Sequence, residues 1–294
     1  MRIGLVGASG LMGHGMAKNL LAKGHALQIT VRRRERVADL LAAGATEAPS
    51  HAALAAGSEI LFLCVTGSPQ VEAVMEEVLA AAPPRGLTVV DCSTSEPAST
   101  ERLRARGAAA GIDFVDAPLS RTPVEAEAGR LNVMVGAEPA SFARLEPVLR
   151  CFAENVLHVG GPGAGHVIKL LNNFIAQSIC TATAEAFAVG RRAGVDLKQL
   201  VALIAQGPVN NGLFQAMAKG LDGTLDGLKF ELDNARKDVR YYTHLAEGLA
   251  VPCVVGEAVH QSLALASALG HGRKFVPSLL EAQEQLAHVE IVKR

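Results

Sequence analysis

The sequence contains no tryptophan and two tyrosines in 294 residues, and aromatics make up 4% of the chain. So few rings argue against a stacking platform for single-stranded nucleic acid. Neither sign of charge dominates: 28 Lys and Arg stand against 29 Asp and Glu, a net charge of −1. That leaves no electrostatic reason for a nucleic-acid or membrane-surface partner. No uninterrupted apolar run approaches the roughly 20 residues of a bilayer span. The opening "MRIGLVGASG" reads as a strand and a glycine loop rather than a targeting segment. The five cysteines (Cys64, Cys92, Cys151, Cys180 and Cys253) are odd in number and form no CxxC pair. They argue against a disulfide framework and against a metal site. They fit a reducing compartment, and the expectation is a soluble cytoplasmic protein.

What is present is core-forming sequence, 49% hydrophobic and 19% charged. The first half alternates β-rich runs with helical patterns. Strands are predicted at 2–6, 27–31, 59–65, 87–91, 113–117, 131–136 and 155–160. Segments such as "HGMAKNLLAKG" and "PQVEAVMEEVLAAA" lie between them with helical apolar spacing. This alternation implies βαβ units and a mainly parallel, doubly wound sheet. Beyond the glycine-rich 160–165 stretch the pattern turns helical, with helices predicted at 166–193, 196–206, 212–221, 230–248, 253–270 and 276–288. The expected fold class is α/β: a Rossmann-type domain over 1–162, then an all-α domain over 163–294.

Gly7, Gly10 and Gly13 lie between the first strand and the first helix. Such a loop lets backbone N–H groups approach a pyrophosphate at a helix N-terminus. The candidate contacts are Gly7, Ser9, Gly10, Leu11, Met12 and Gly13. The spacing is GxxGxxG, one residue longer than GxGxxG. An Asp or Glu at the end of the second strand commonly accepts from the ribose hydroxyls of NAD. Here "ITVRRRER" places Val31, Arg32, Arg33 and Arg34 there, with no carboxylate before Glu35. Guanidinium groups suit a 2′-phosphate. The cofactor expectation is NADP rather than NAD, held at Val31, Arg32 and Arg33.

"GGPGAGHVIKLLNNF" at 160–174 opens the longest helical pattern. Lys169, Asn172 and Asn173 share one face of that helix, among Val167, Ile168, Leu170, Leu171 and Phe174. An ammonium and two amides in an apolar wall read as a polar substrate site. His158 and His166 beside it have no nearby carboxylates in the sequence and are expected at solvent or an interface. The lone cysteines are expected in the core, and Glu185 buried or at an interface.

Together these segments resemble the β-hydroxyacid dehydrogenase family, of the 3-hydroxyisobutyrate dehydrogenase type. The motifs are "GASGLMGHGMAKNLLAKGH", "DCST" (91–94), "DAPLSRTPVEAEAGRLNVMVG" (116–136), "GPGAGHVIKLLNN" (161–173) and "NARKD" (234–238). The likeness covers nearly the whole chain. It implies hydride transfer between NAD(P) and a small hydroxy acid or its semialdehyde or keto form, by a homodimer or homotetramer. Lys169 matches the family's catalytic lysine and Asn173 its substrate amide. Thr94 would lie near the nicotinamide ribose, Lys237 near cofactor and substrate, and Val65 and Thr66 along the adenine side. Ser120, Arg121 and Thr122 match the loop for the substrate acid group. The family commonly has Ser-Gly-Gly in that loop; "SRT" is more similar to the sulfolactaldehyde reductase branch. That points to a small acidic aldehyde or hydroxy acid such as sulfolactaldehyde, succinic semialdehyde or tartronate semialdehyde. The alternatives are a non-catalytic NADPH-binding scaffold, an imine reductase, or a 6-phosphogluconate dehydrogenase-like enzyme. Imine reductases usually lack the lysine, and Asn172 stands where the last group has a histidine.

Overall fold

The computed structural model describes residues 1–293 and divides into two compact units, Met1–Lys169 and Leu170–Arg294. The division falls inside the long helix rather than in the glycine-rich stretch before it.

The first unit holds a nine-stranded sheet. Its strands are β1 (Arg2–Val6), β2 (Ala26–Ile29), β3 (Thr46–Glu47), β4 (Ile60–Leu63), β5 (Thr88–Asp91), β6 (Asp113–Asp116), β7 (Leu119–Ser120), β8 (Leu131–Gly136) and β9 (Ala153–Gly160). The helices between them are α1 (Leu11–Ala22), α2 (Ala38–Ala42), α3 (His51–Ala56), α4 (Ser68–Ala80), α5 (Pro97–Ala109), α6 (Pro123–Glu127) and α7 (Pro139–Leu149). Strands β3-β2-β1-β4-β5-β6 lie side by side and all pair in parallel. This is the doubly wound order, whose reversal between β1 and β4 marks a ligand crevice at the strands' C-terminal ends. Beyond β6 the sheet becomes mixed: β8 runs antiparallel to β6 and β7 and parallel to β9.

Strands β4 and β5 are buried along their whole length. Burial on both faces is why they read as continuous apolar runs. Side chains alternate between two cores. Phe62 and Val90 join Leu5, Met16, Leu20 and Phe152 on one face. Leu61, Leu63 and Val89 join Leu54, Val74, Met75 and Leu103 on the other.

The second unit takes over α8 (Ala164–Arg192) at Leu170, and adds α9 (Leu197–Ala205), α10 (Gly212–Ala218), α11 (Leu232–Gly248), α12 (Val254–Ala266) and α13 (Leu279–Ala287). Its core gathers Cys180, Phe187, Phe214, Met217, Leu232, Val239, Leu263 and Leu280. Among the described residues no helix is long and apolar enough to cross a membrane.

Several predicted bounds shift for local reasons. Strand β2 ends at Ile29, leaving Thr30 and Val31 in the loop, and β4 ends at Leu63. The two-residue strands β3 and β7 are too short to leave a periodic pattern. The helix predicted at 253–270 stops at Ala266 and continues as a π turn in which Gly270 takes φ 93°. That predicted at 276–288 opens as a 3₁₀ turn containing Pro277, which has no N–H to give.

One contact ties the glycine-loop helix to the candidate substrate loop. At Gly15 on α1 a Cβ would lie 2.3 Å from the carbonyl carbon of Ala126, so α6 can sit directly on α1 only because that side chain is absent. Asn19 donates to the Ala126 carbonyl at 3.0 Å. His14 bridges Glu127 at 2.6 Å and Asp39 at 3.1 Å, and Lys18 adds a second pair to Glu127 at 3.1 Å. Burial opposes a charge on His14, but the bonds to the two carboxylates outweigh it and raise its pKa. A raised folded pKa contributes stability that is complete below the ordinary value of about 6.5 and is lost as pH rises through the folded value. The stability of the wild type over His14→Gln should therefore shrink from pH 6 to pH 9 in thermal unfolding. A constant difference across that range would remove the charge from this contact.

Candidate active site

The glycine loop follows directly from β1. Gly7 has φ 99°, and a Cβ there would stand 2.0 Å from the carbonyl oxygen of Cys64. A Cβ on Gly13 would stand 2.3 Å from the Gly7 carbonyl oxygen. Only glycine meets both limits. The Gly10 N–H closes the turn on the Gly7 carbonyl at 2.9 Å. Gly10 also caps α1, with no side-chain cap and no acidic residue in the first turn. The opening N–H groups of α1 are thus offered to an anion. A cradle that a Cβ would fill fits a pyrophosphate.

Past β2, Val31 is half-buried against the core of the first unit. Arg34 is taken by Glu47 of β3, Nη1 to Oε2 at 2.5 Å. Arg32 and Arg33 are exposed, and neither side chain has a hydrogen bond or ion pair among the described residues. Of the three arginines, two are thus available to a ligand.

The ends of β4 and β5 are joined. Val65 donates its N–H to Ser93 Oγ at 3.0 Å. The Ser93 N–H and the Ser95 hydroxyl donate to Asp91 Oδ1 and Oδ2 at 2.8 and 2.7 Å. Thr94, half-buried, sits between these two serines, while Thr66 is exposed. Cys64 nearby is no nucleophile: burial first, then the charge of Asp91, pushes its pKa up to about 12.

In the 120–122 loop, Ser120 accepts from Asn132 Nδ2 at 3.2 Å. Thr122 caps α6 in a reciprocal capping box with Glu125, whose pKa is lowered by the Thr122 hydroxyl and N–H. Arg121 has φ 82°, a left-handed conformation that favours the glycine more common there. Its Nη1 pairs with Glu154 of β9 and donates to the Arg130 carbonyl at 2.6 Å.

Lys169 is half-buried on α8. In the second unit Asn173 is buried; it accepts from Asn172 at 3.1 Å and donates to Asp238 Oδ2 at 2.5 Å. Asp238 Oδ1 lies 3.0 Å from Lys237 Nζ, which stands 5.1 Å from the centre of the Tyr241 ring. The structure therefore brings Asn173 and Lys237 together through Asp238, whose place in "NARKD" gave no sign of this role.

His166 overturns its expectation. It is fully buried, with Nδ1 2.7 Å from Thr100 Oγ1 and Nε2 3.6 Å from Asp91 Oδ2. Its carboxylate neighbour comes from far upstream, so proximity along the chain could not reveal it. The only hint was an aspartate at the end of "LTVVD" and another next to last in "DFVDA". His158 is exposed as expected and stacks on Phe142 at 4.6 Å. Glu185 is exposed rather than buried. Among the described residues no group of His, Cys, Asp and Glu could hold a metal ion.

A glycine cradle at a doubly wound switch point, followed by a helical unit whose first helix carries Lys169, defines an NAD(P)-dependent dehydrogenase. Comparison with known proteins narrows the class. Residues 2–160 match the NAD-binding domain of 6-phosphogluconate dehydrogenase, and residues 163–281 match the NAD-binding region of NADP-dependent 3-hydroxyisobutyrate dehydrogenase. The chain is 31% identical to 2-(hydroxymethyl)glutarate dehydrogenase of Eubacterium barkeri, over 99% of its own length and 97% of that protein's. It is 30% identical to 3-sulfolactaldehyde reductase of Escherichia coli, over 92% of each. A solved 3-hydroxyisobutyrate dehydrogenase from Salmonella typhimurium superposes with a TM-score of 0.82 at 28% identity, covering 96% of this chain and 99% of that one. The chain belongs to the β-hydroxyacid dehydrogenase family, as an NAD(P)-dependent enzyme acting on CH–OH donors.

The left-handed backbone at Arg121 is open to a direct test. Arg121→Gly and Arg121→Ala both lose the Glu154 pair, and only the alanine keeps a Cβ at positive φ. The glycine variant should be more stable by about 1 kcal/mol in denaturant unfolding. Equal stabilities would show that the loop relaxes out of that conformation.

Proposed function

We propose that the enzyme moves hydride between NADP(H) and a small 3-hydroxy acid or its semialdehyde, with Lys169 as general acid and base. The observation that carries this reading is the half-buried Lys169 placed one helical turn before two amides. The bound cofactor supplies or takes the hydride. Reduction of a carbonyl leaves negative charge on its oxygen, and the Lys169 ammonium donates a proton there. In the reverse direction the neutral amine accepts the hydroxyl proton. Asn173 is held by Asp238 through one N–H, which leaves its second N–H for a substrate hydroxyl or acid oxygen. Lys237 is the second cation of the substrate site. Ser120, Arg121 and Thr122 receive the acid group. Arg121 keeps Nε and Nη2 for it, since Glu154 and the Arg130 carbonyl occupy Nη1. Two relatives named for acidic substrates, a glutarate derivative and a sulfonated aldehyde, support a short aldehyde with an acidic tail.

The NADP preference rests on Arg32 and Arg33, whose exposed side chains have no partner among the described residues and stand in the place of the ribose carboxylate. Comparing kcat/KM for the two cofactors tests it. NADPH should win, and Arg32→Ala or Arg33→Ala should weaken NADPH far more than NADH. Equal use of NADH by the wild type would return both arginines to a solvated turn.

Lys169→Ala should lower kcat by about 10²–10⁴ while NADPH binding stays nearly intact. More than about a tenth of wild-type kcat in this variant would mean that the proton comes from another group.

A further inference from the structure

His166 has no part in the reaction as set out above, yet it is a fully buried polar side chain of the first unit. We propose that it is a positioning residue: its Nε2–H, directed at Asp91, ties the loop after β5 to the turn of α8 that ends in Lys169. The proposal rests on the reading of Lys169 as the proton donor.

The starting point is a pair of buried carboxylates. Asp91 and Asp116 are register partners on the adjacent strands β5 and β6, and both are buried. Neighbouring in-register side chains project from the same face of the sheet. Two negative charges side by side in a dry setting need compensation. Asp116 obtains it from the start of α8, accepting from the N–H groups of Gly163 at 2.6 Å and His166 at 2.9 Å. Asp91 is oriented by Ser93 and Ser95, and each of its oxygens keeps a further lone pair. A further polar group facing it is His166 Nε2, at 3.6 Å and without a hydrogen-bond partner.

The ring's hydrogens follow from its other nitrogen. Thr100 Oγ1 lies 2.7 Å from Nδ1 and 3.2 Å from the Glu96 carbonyl. The hydroxyl has one hydrogen. If it donates to Nδ1, the neutral ring carries its hydrogen on Nε2. If it donates to Glu96, Nδ1 must be the donor, and a neutral ring would aim a bare lone pair at the Asp91 carboxylate. That last arrangement is repulsive, and a second hydrogen on Nε2 relieves it. Both satisfactory arrangements place an N–H toward Asp91.

Close packing makes the tie sensitive. A Cβ on Gly165 would lie 2.5 Å from the Met134 carbonyl oxygen, and one on Gly136 would lie 2.7 Å from the Gly165 nitrogen. The first turn of α8 therefore rests on backbone and has little room to adjust. His166 sits three residues before Lys169 on that helix. Asp91, through Ser93, also holds the Val65 N–H, so the same contact reaches the loops that carry Val65 and Thr94.

The test compares His166→Leu with His166→Gln, whose amide can accept from Thr100 and donate to Asp91. With NADPH saturating, His166→Leu should lower kcat about tenfold or more. KM for the aldehyde should change less than about threefold, because no substrate contact is lost. His166→Gln should recover most of the rate. Equal loss in both variants, or wild-type kcat in His166→Leu, would overturn the proposal. Should His166→Leu fail to fold, ¹⁵N-histidine NMR of the wild type decides: a lone-pair signal from Nε2 would sink the idea, and a protonated one is expected. Lys169→Ala assayed alongside separates the two readings. If it stays active, the lysine assignment fails, while the NMR result still reports on the contact with Asp91.

Discussion

Two carboxylates at the ends of β5 and β6 constrain most of what lies around them. A strand pair that ends in Asp91 and Asp116 must pay for two desolvated charges. It does so by drawing in donors: two serine groups on one side, and the first N–H groups of α8 on the other. The helix N-terminus suits this because its unpaired N–H groups carry partial positive charge. The start of α8 is therefore located by electrostatics, and the glycines at 136 and 165 follow, since a helix drawn this close leaves no room for a Cβ. Lys169 inherits its place from that arrangement.

The glycine loop shows the same logic without charge. Gly7 and Gly13 lie where a Cβ would meet backbone oxygen, and Gly15 where it would meet Ala126. These three positions let the loop, α1 and α6 pack as one layer, and the His14 bridge to Glu127 and Asp39 closes it. The longer GxxGxxG spacing is accommodated by a turn from Gly7 to Gly10 that delivers the helix start to the same crevice.

This separates what the sequence made legible from what it hid. The strand–glycine–helix opening, the buried strands β4 and β5 and the helical second half could be read because each is a local pattern of spacing and composition. The pairs that organise the site were hidden, because each joins positions distant in the chain. His166 meets Asp91, Arg34 meets Glu47, Arg121 meets Glu154 and Asn173 meets Asp238 only after the sheet or the helical bundle has formed. Periodicity marks which face a residue occupies and gives no sign of which partner it will find there. His166 was misjudged on that account: a histidine without neighbouring carboxylates in sequence looked like a surface residue.

Arg121 shows how far one such pair can alter a reading. Loops that receive a carboxylate through glycines present backbone donors, which are fixed and permit positive φ. This chain keeps the positive φ and places a side chain there, so under the proposed function recognition passes from backbone to guanidinium. A guanidinium has five donors in one plane, and here one edge of that plane faces Glu154 and the Arg130 carbonyl. Under the proposed function, a substrate anion must share the group with a resident carboxylate rather than meet it free. The attraction left over is weaker than a lone arginine would give, but the guanidinium plane is already oriented, so less side-chain freedom is lost on binding. On that reading such a site would favour an anion whose geometry fits the remaining edge over one that only carries charge, and that edge, more than net charge, would set which acidic aldehydes the loop accepts.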